Sequence, residues 1–127
     1  MPVTIFFAGT PKNSNARGQW ARMATARDRK KFRQLAAQEA ARYYLPHGTF
    51  THFVRISARQ ISHVNRRRDP GGLAERLKPL LDGIVDAGLL IDDNEDYIEL
   101  VLERSQVVKG ATPGIQLTLE PIGAPRP

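Results

Sequence analysis

Residues 73–105 read LAERLKPLLDGIVDAGLLIDDNEDYIELVLERS, and this stretch decides the fold because two periodicities follow each other within it. The apolar residues of its first half recur at helical spacing: Leu77, Leu80, Leu81, Ile84 and Val85. Gly88 is a natural helix stop, and apolar and acidic residues alternate from Tyr97 to Ser105 as in a strand. The pattern predicts a helix over roughly residues 73–87, an acidic turn and a strand. Pro79 is awkward inside a helix, so the regular helix is expected to begin near Lys78.

The flanking sequence predicts three more strands and one more helix. Residues 49–64 alternate like a half-buried strand, and His52 falls on its apolar face, which predicts a core histidine. Shorter apolar runs predict a first strand over Val3–Phe7 and a last strand marked by Ile115, Leu117 and Leu119. Between the first two strands, Thr25 and Asp28 resemble a capping box that opens a helix, which Pro46 and Gly48 end.

The order strand, helix, strand, helix, strand, strand predicts a small α/β (α+β) domain with a mixed sheet and two main helices. A chain of 127 residues fits one domain over residues 1–127, with a disordered tail at about residues 122–127. The sequence has no cysteine, which excludes disulfides and thiolate chemistry, and it has no apolar run that approaches the length of a membrane span. These features predict a soluble cytoplasmic protein without a membrane partner.

Charge is distributed unevenly along the chain. Residues 1–68 contain 14 Lys or Arg and two acids, a balance of +12, whereas residues 69–127 contain five basic and 11 acidic residues, a balance of −6. A basic half favours a polyanionic partner, because each neutralised phosphate releases condensed counterions. An acidic stretch beside it repels DNA unless it binds cations. This combination favours DNA binding with a divalent metal.

The candidate chemistry lies in Asp69, Lys78, Asp92 and Asp93, which flank or lie on the predicted second helix. Phosphodiester hydrolysis uses hard divalent cations held by carboxylates from separate segments, and a lysine can stabilise the developing charge. Asp69, Asp92 and Asp93 are therefore the predicted metal ligands. The predicted phosphate contacts come from the turn before the second helix and from the first helix: Arg66, Arg67, Arg68, Lys30 and Arg33.

Two other interpretations of the acidic residues stay open at this point. Asp92–Asp96 is also typical of an ordinary solvated turn, because Asp and Asn favour turns. The same residues partly match a calcium-binding loop that would end at Glu103, although Tyr97 stands where such a loop needs glycine.

Residues 66–100 resemble the signature region of the RusA family of Holliday-junction resolvases. That family shows an Asp-x-Asp-Asn motif, a lysine on a helix, an Asp-Ala or Asp-Gly step, a glycine and a paired Asp-Asp. Asp69 matches the first acid and Lys78 the lysine, and the later elements are matched by Asp82-Gly83, Gly88 and Asp92-Asp93. Pro11, Asn13, Asn15, Trp20 and the basic first helix resemble the family's opening more loosely.

The resemblance implies a homodimeric, Mg²⁺-dependent endonuclease, with Mn²⁺ as an alternative metal, that cuts four-way DNA junctions in recombination and repair. Many members of that family are encoded by phages or prophages. The sequence departs from the motif at Gly71, which stands where the second acid is expected, and at Gly72, which stands at the asparagine. The alternative is therefore a RusA-like protein that binds branched DNA without efficient cleavage. A plain duplex-binding regulator is a more distant possibility, because no helix-turn-helix pair is apparent.

Overall fold

The computed structural model describes residues 2–9, 19–62 and 70–125. They form two helices and five strands in the order β1 (Val3–Ala8), α1 (Gln19–His47), β2 (His52–Ser62), α2 (Pro70–Asp86), β3 (Ile98–Leu102), β4 (Gln106–Val107) and β5 (Gly114–Pro125). This is the small mixed α+β domain that the sequence predicts. The described residues also contain β4, a two-residue strand that the sequence pattern did not indicate.

The strands form one mixed sheet in the order β1-β5-β2-β3, and β4 continues beside β2. β5 pairs antiparallel with both β1 and β2, whereas β3 and β4 run parallel to β2. The parallel β2–β3 pair needs a crossover connection, and α2 lies within it in sequence. The residues that follow α2 therefore return to the sheet edge where β3 begins.

Both helices contribute to a core on one face of the sheet. Alternate residues of β2, including Val54, Ile56 and Ala58, are fully buried, as the alternation predicts. α1 buries Phe32, Ala36 and Ala40 at intervals of four residues. α2 buries the predicted stripe and adds Leu73; Val85 is only partly buried. Gln60 and Ser62 are the buried polar side chains of the described residues.

The opposite face of the sheet carries the exposed and half-buried residues of β2, and charged pairs lie along it. Arg55 Nε lies 3.2 Å from Glu99 Oε2, and Arg59 Nη2 lies 2.6 Å from Glu103 Oε2. These are cross-strand pairs between β2 and the edge formed by β3 and the residue after it. Two arginines of the basic half are thus matched by acids.

Both helices begin earlier than predicted. α1 begins at Gln19 rather than near Thr25, because residues 19–24 (QWARMA) are mostly strong helix formers and contain no breaker. α2 begins at Pro70 and continues through Pro79. A proline inside a helix costs about 3 kcal/mol, but Leu73 and Leu77 before it are buried, at roughly 1.5–3 kcal/mol each. That burial offsets the cost and keeps the first turns helical.

At the ends of the helices and strands, two further predictions are wrong and one is confirmed. His52 is exposed at the first position of β2, where the helices do not cover it, so it is not a core histidine. β5 extends to Pro125, because its end pairs with β2, so residues 122–125 are not a disordered tail. Gly48 and Gly88 follow the helices with φ of 78° and 87°, the left-handed region that favours glycine, and act as the predicted stops.

Candidate active site

The acidic turn, which we define as Asp92–Asp96, is attached firmly to the core. Gly88 donates a backbone hydrogen bond to Val85 O at 2.9 Å and reverses the chain after α2. Leu89 and Leu90 are then buried, and Leu89 O accepts a hydrogen bond from Phe50 N at 2.9 Å, just before β2. The acidic turn therefore starts from a fixed point between α2 and the sheet.

Two of the predicted site residues, Lys78 and Asp93, meet directly. Lys78 Nζ donates a hydrogen bond to Asp93 Oδ2 at 2.6 Å and also lies 3.2 Å from Asp82 Oδ1. The Asp93 side chain is only 15% exposed, whereas that of Lys78 is 57% exposed. One ammonium group thus joins two carboxylates, one from α2 and one from the acidic turn.

This contact changes the protonation of both partners. The hydrogen bond to Asp93 raises the pKa of Lys78 above its usual value, which opposes the effect of desolvation. Desolvation alone raises the pKa of Asp93, but the hydrogen bond and the charge of Lys78 outweigh it, so the pKa of Asp93 is lowered. Both groups are therefore charged at neutral pH.

Asp92 has a different role, because its carboxylate shapes the acidic turn. Asp92 Oδ1 accepts a hydrogen bond from Asp93 N at 2.7 Å, and Asp92 Oδ2 accepts one from Asn94 Nδ2 at 3.0 Å. Asn94 Oδ1 in turn accepts a hydrogen bond from Asp96 N at 2.9 Å. These are the local side-chain bonds of an Asx-type turn. The ordinary-turn interpretation accounts for Asp92, and the Lys78–Asp93 contact joins this turn to α2.

The calcium-loop interpretation is not supported. Glu103, its expected last ligand, is bound by Arg59 at 2.6 Å, and β3 already begins at Ile98. Within residues 2–9, 19–62 and 70–125, no group of three or more acidic or histidine side chains is arranged to hold a metal ion. Asp92 and Asp93 are adjacent in sequence, and Mg²⁺ is commonly held by one or two carboxylates together with water and substrate phosphates.

Part of the predicted site lies outside the described residues. Asp69 and the three arginines Arg66, Arg67 and Arg68 fall in the gap between residues 62 and 70. Along the chain, Asp69 immediately precedes the first residue of α2, and Gly71 lies in the first turn of that helix. Whether Asp69 joins Asp92 and Asp93 therefore stays a prediction.

Arg33, a predicted phosphate contact, joins the two helices instead. Its Nε and Nη2 atoms donate to the two carboxylate oxygens of Asp86 at 2.6 and 2.9 Å, and Nη1 lies 3.9 Å from Asp82 Oδ2. This bidentate contact raises the pKa of Arg33 and lowers that of Asp86. No local sequence pattern indicates this pair, because 53 residues separate its members. Lys30, the other predicted contact on α1, is exposed.

Gly83 explains how closely α1 and α2 approach each other. A Cβ atom built on Gly83 would lie 2.3 Å from Arg33 O and 2.6 Å from Ala36 Cβ. Only glycine allows this approach, which brings Arg33 to Asp82 and Asp86. The sequence does contain a signal, since a glycine inside a helix is unfavourable and often marks close packing.

Two cavities lie on either side of Lys78. The first, about 260 Å³, is enclosed by α1 and α2; we call it the basic cleft, and its lining residues are Arg29, Lys30, Arg33, Lys78, Pro79 and Asp82. The second, about 310 Å³, lies between α2, the acidic turn and β3; we call it the acidic cavity, and it is lined by Ala74, Lys78, Leu81, Asp93, Glu95, Ile98 and Leu100. Lys78 lines both, so it separates a basic space from an acidic one.

No protein-family model matches the chain, and a search of curated proteins found no match. The resemblance to the RusA family thus depends on the residues quoted above. In the part of the chain that the structure describes, no helix is long and apolar enough to cross a membrane.

Proposed function

We propose that this chain is a Mg²⁺-dependent endonuclease that cuts four-way or otherwise branched DNA, as its resemblance to the RusA family implies. The observation that carries the proposal is the contact of Lys78 with Asp93 beside the acidic cavity. The contact places a cation beside one of the carboxylates assigned to the metal site and next to a cavity. In a phosphodiesterase, a cation in that position stabilises charge on the phosphate.

Asp92 and Asp93 would hold Mg²⁺, together with Asp69, which immediately precedes α2 in the sequence; Mn²⁺ is the alternative metal. When bound, the ion supplies Lewis-acid stabilisation of the phosphate oxygens. Lys78 is charged at neutral pH, as a lysine is unless its pKa is lowered, and its pKa is raised. Its ammonium group can therefore donate a hydrogen bond to a phosphate oxygen or to the leaving oxygen. Arg66, Arg67 and Arg68 would bind neighbouring phosphates.

A four-way junction is nearly two-fold symmetric, so a homodimer could present one site to each of two opposed strands. This chemistry suits recombination or repair in the cytoplasm of a bacterium or a phage-infected host. The purified chain is tested on a labelled four-way junction and on a linear duplex of the same arm sequence, with Mg²⁺, Mn²⁺ or EDTA. Symmetric nicks in the junction alone, lost in EDTA, are expected. Equal cleavage of both substrates would contradict junction specificity.

A second candidate function is junction binding without efficient cleavage. Gly71 stands where the RusA motif has its second acid, and the described residues do not themselves contain a three-carboxylate group. Tight binding of the junction in both metals, with no nicks, would favour this function. Equal affinity for junction and linear duplex at raised salt would instead indicate a plain duplex binder.

Replacing Gly71 with aspartate is expected to increase junction cleavage by about tenfold or more, since losing or gaining a group that supports a metal site typically changes activity 10- to 100-fold. Gly71→Asn is the matched control, because it adds a side chain of the same size at the same position in the first turn of α2 without the negative charge. Initial rates at several Mg²⁺ concentrations measure the effect. A folded Gly71→Asp variant with an unchanged rate, or an equal gain in Gly71→Asn, would show that the alignment of Gly71 with the missing acid is wrong.

A further inference from the structure

The basic cleft is lined by four cationic side chains and one carboxylate, yet only some of the cations are engaged. Arg33 is held by both oxygens of Asp86, and Lys78 is shared between Asp93 and Asp82. These two cations therefore belong to the packing of α1, α2 and the acidic turn. The uncommitted charge of the cleft comes from Arg29 and Lys30, which are adjacent on α1.

One nitrogen atom of the Arg29 side chain has no hydrogen-bond acceptor among the described residues. This atom, Nε, is buried. The acid nearest to this side chain, Glu75 on α2, lies 3.9 Å from Nη2, at the outer limit of an ion pair. A buried donor without an acceptor is costly and uncommon, and therefore needs an explanation. The guanidinium group of Arg29 is thus weakly paired, and its exposed part lines the basic cleft, where an anion can bind it.

The geometry of the donors favours a phosphate group. A guanidinium presents a planar fork that matches the oxygens of a phosphate, and a neighbouring ammonium adds a second charge. The cleft has a volume of about 260 Å³, which leaves room for several water-sized groups and therefore for a phosphate group. Asp82 is the one carboxylate in the lining, and it already lies within 3.2 Å of Lys78.

Lys78 connects the cleft to the candidate active site, since it lines both the basic cleft and the acidic cavity. A nucleic-acid strand carries a phosphate at every step, so a strand anchored in one cavity can present its next linkage to the other. We propose that the basic cleft binds a backbone phosphate of the nucleic-acid strand through Arg29 and Lys30, next to the phosphate that Lys78 contacts. This inference rests on the proposed function in one respect, namely that the partner is nucleic acid.

The test compares two double variants that lose the same charge from the same helix. Arg29→Gln with Lys30→Gln removes the proposed contact, whereas Arg27→Gln with Lys31→Gln removes two exposed cations that do not line the cleft. Junction affinity is measured in EDTA over a series of salt concentrations. Loss of one phosphate contact lowers the slope of log K against log salt by about 0.9. We expect that decrease in the cleft variant and a clearly smaller one in the control; equal decreases would overturn the proposal.

A second measurement identifies the anion without using cleavage. The Arg29 Nε–Hε signal is followed by NMR while either inorganic phosphate or a short oligothymidylate is added. A shift at much lower concentrations of the oligonucleotide supports a backbone phosphate. If inorganic phosphate shifts the signal and the oligonucleotide does not compete with it, the assignment to a backbone phosphate is overturned. If neither compound shifts the signal, the site itself is overturned. If the chain binds in this way but never cuts DNA, the nuclease proposal fails while this one stands.

Discussion

Asp93→Asn is expected to reduce Mg²⁺-dependent junction cleavage by at least about 100-fold while junction binding is preserved or tightened. The substitution removes the carboxylate that Lys78 contacts at 2.6 Å and that the proposal assigns to the metal. Loss of a group that only supports a metal ligand lowers metal affinity or activity by about 10- to 100-fold. Loss of a direct ligand should therefore lower activity further. Binding should survive because one negative charge near the DNA is lost.

Asp96→Asn is the matched control, because it removes one charge from the same exposed turn without any contact to Lys78 in the described structure. Single-turnover cleavage and a gel-shift assay in EDTA are measured for both variants. Asp92→Asn is a poorer test, since Asp92 also holds the turn together through two hydrogen bonds. Equal cleavage by the Asp93 and Asp96 variants would show that Asp93 is not part of a catalytic site.

Gly83→Ala is expected to lower the free energy of unfolding by about 1–3 kcal/mol, the usual cost of overpacking a core. In an ordinary helix, Gly to Ala stabilises by up to about 1 kcal/mol, so the sign of the change is diagnostic. Here the added methyl would lie 2.3 Å from Arg33 O, and a backbone atom cannot move aside as a flexible side chain can. The helices must separate, which also pulls Arg33 away from Asp82 and Asp86.

Urea unfolding measures the effect, and Gly110→Ala is the control. Gly110 has a φ of 80° but no atom within 4 Å of a built Cβ, so its substitution reports backbone strain without crowding. A stabilised Gly83→Ala variant, with an unchanged denaturant slope, would show that α1 and α2 do not approach each other as closely as described.

The main strands and the core residues were predictable from local patterns. Alternation along β2 and the apolar stripe of α2 each depend on which face of one element is buried, and periodicity reports that directly. The stop at Gly88 was also predictable, because a left-handed residue after a helix is most often glycine. The pairing of β2 with β5 in the middle of the sheet was not, since no local pattern specifies which strands become neighbours.

The candidate site was predictable only in part, for a related reason. Lys78 and Asp93 were assigned to one site, and they form a hydrogen bond across 15 residues of sequence. Arg33, however, is matched by Asp86 rather than left free for phosphate, and charge counts cannot reveal such pairs. Pro79 misled the placement of α2, because propensity favours a break where the burial of Leu73 and Leu77 outweighs it.

The most direct test of the proposed function is whether a divalent cation binds at the acidic turn. Mn²⁺ is added in small amounts to the isotopically labelled protein, and paramagnetic broadening of the backbone amide signals is recorded by NMR. We expect Asp92 and Asp93 to broaden at Mn²⁺ concentrations that leave the exposed acid Glu120 unaffected, and Asp93→Asn to remove that selectivity. Uniform weak broadening of all exposed acids would contradict the proposal and identify Asp92–Asp96 as an ordinary solvated turn.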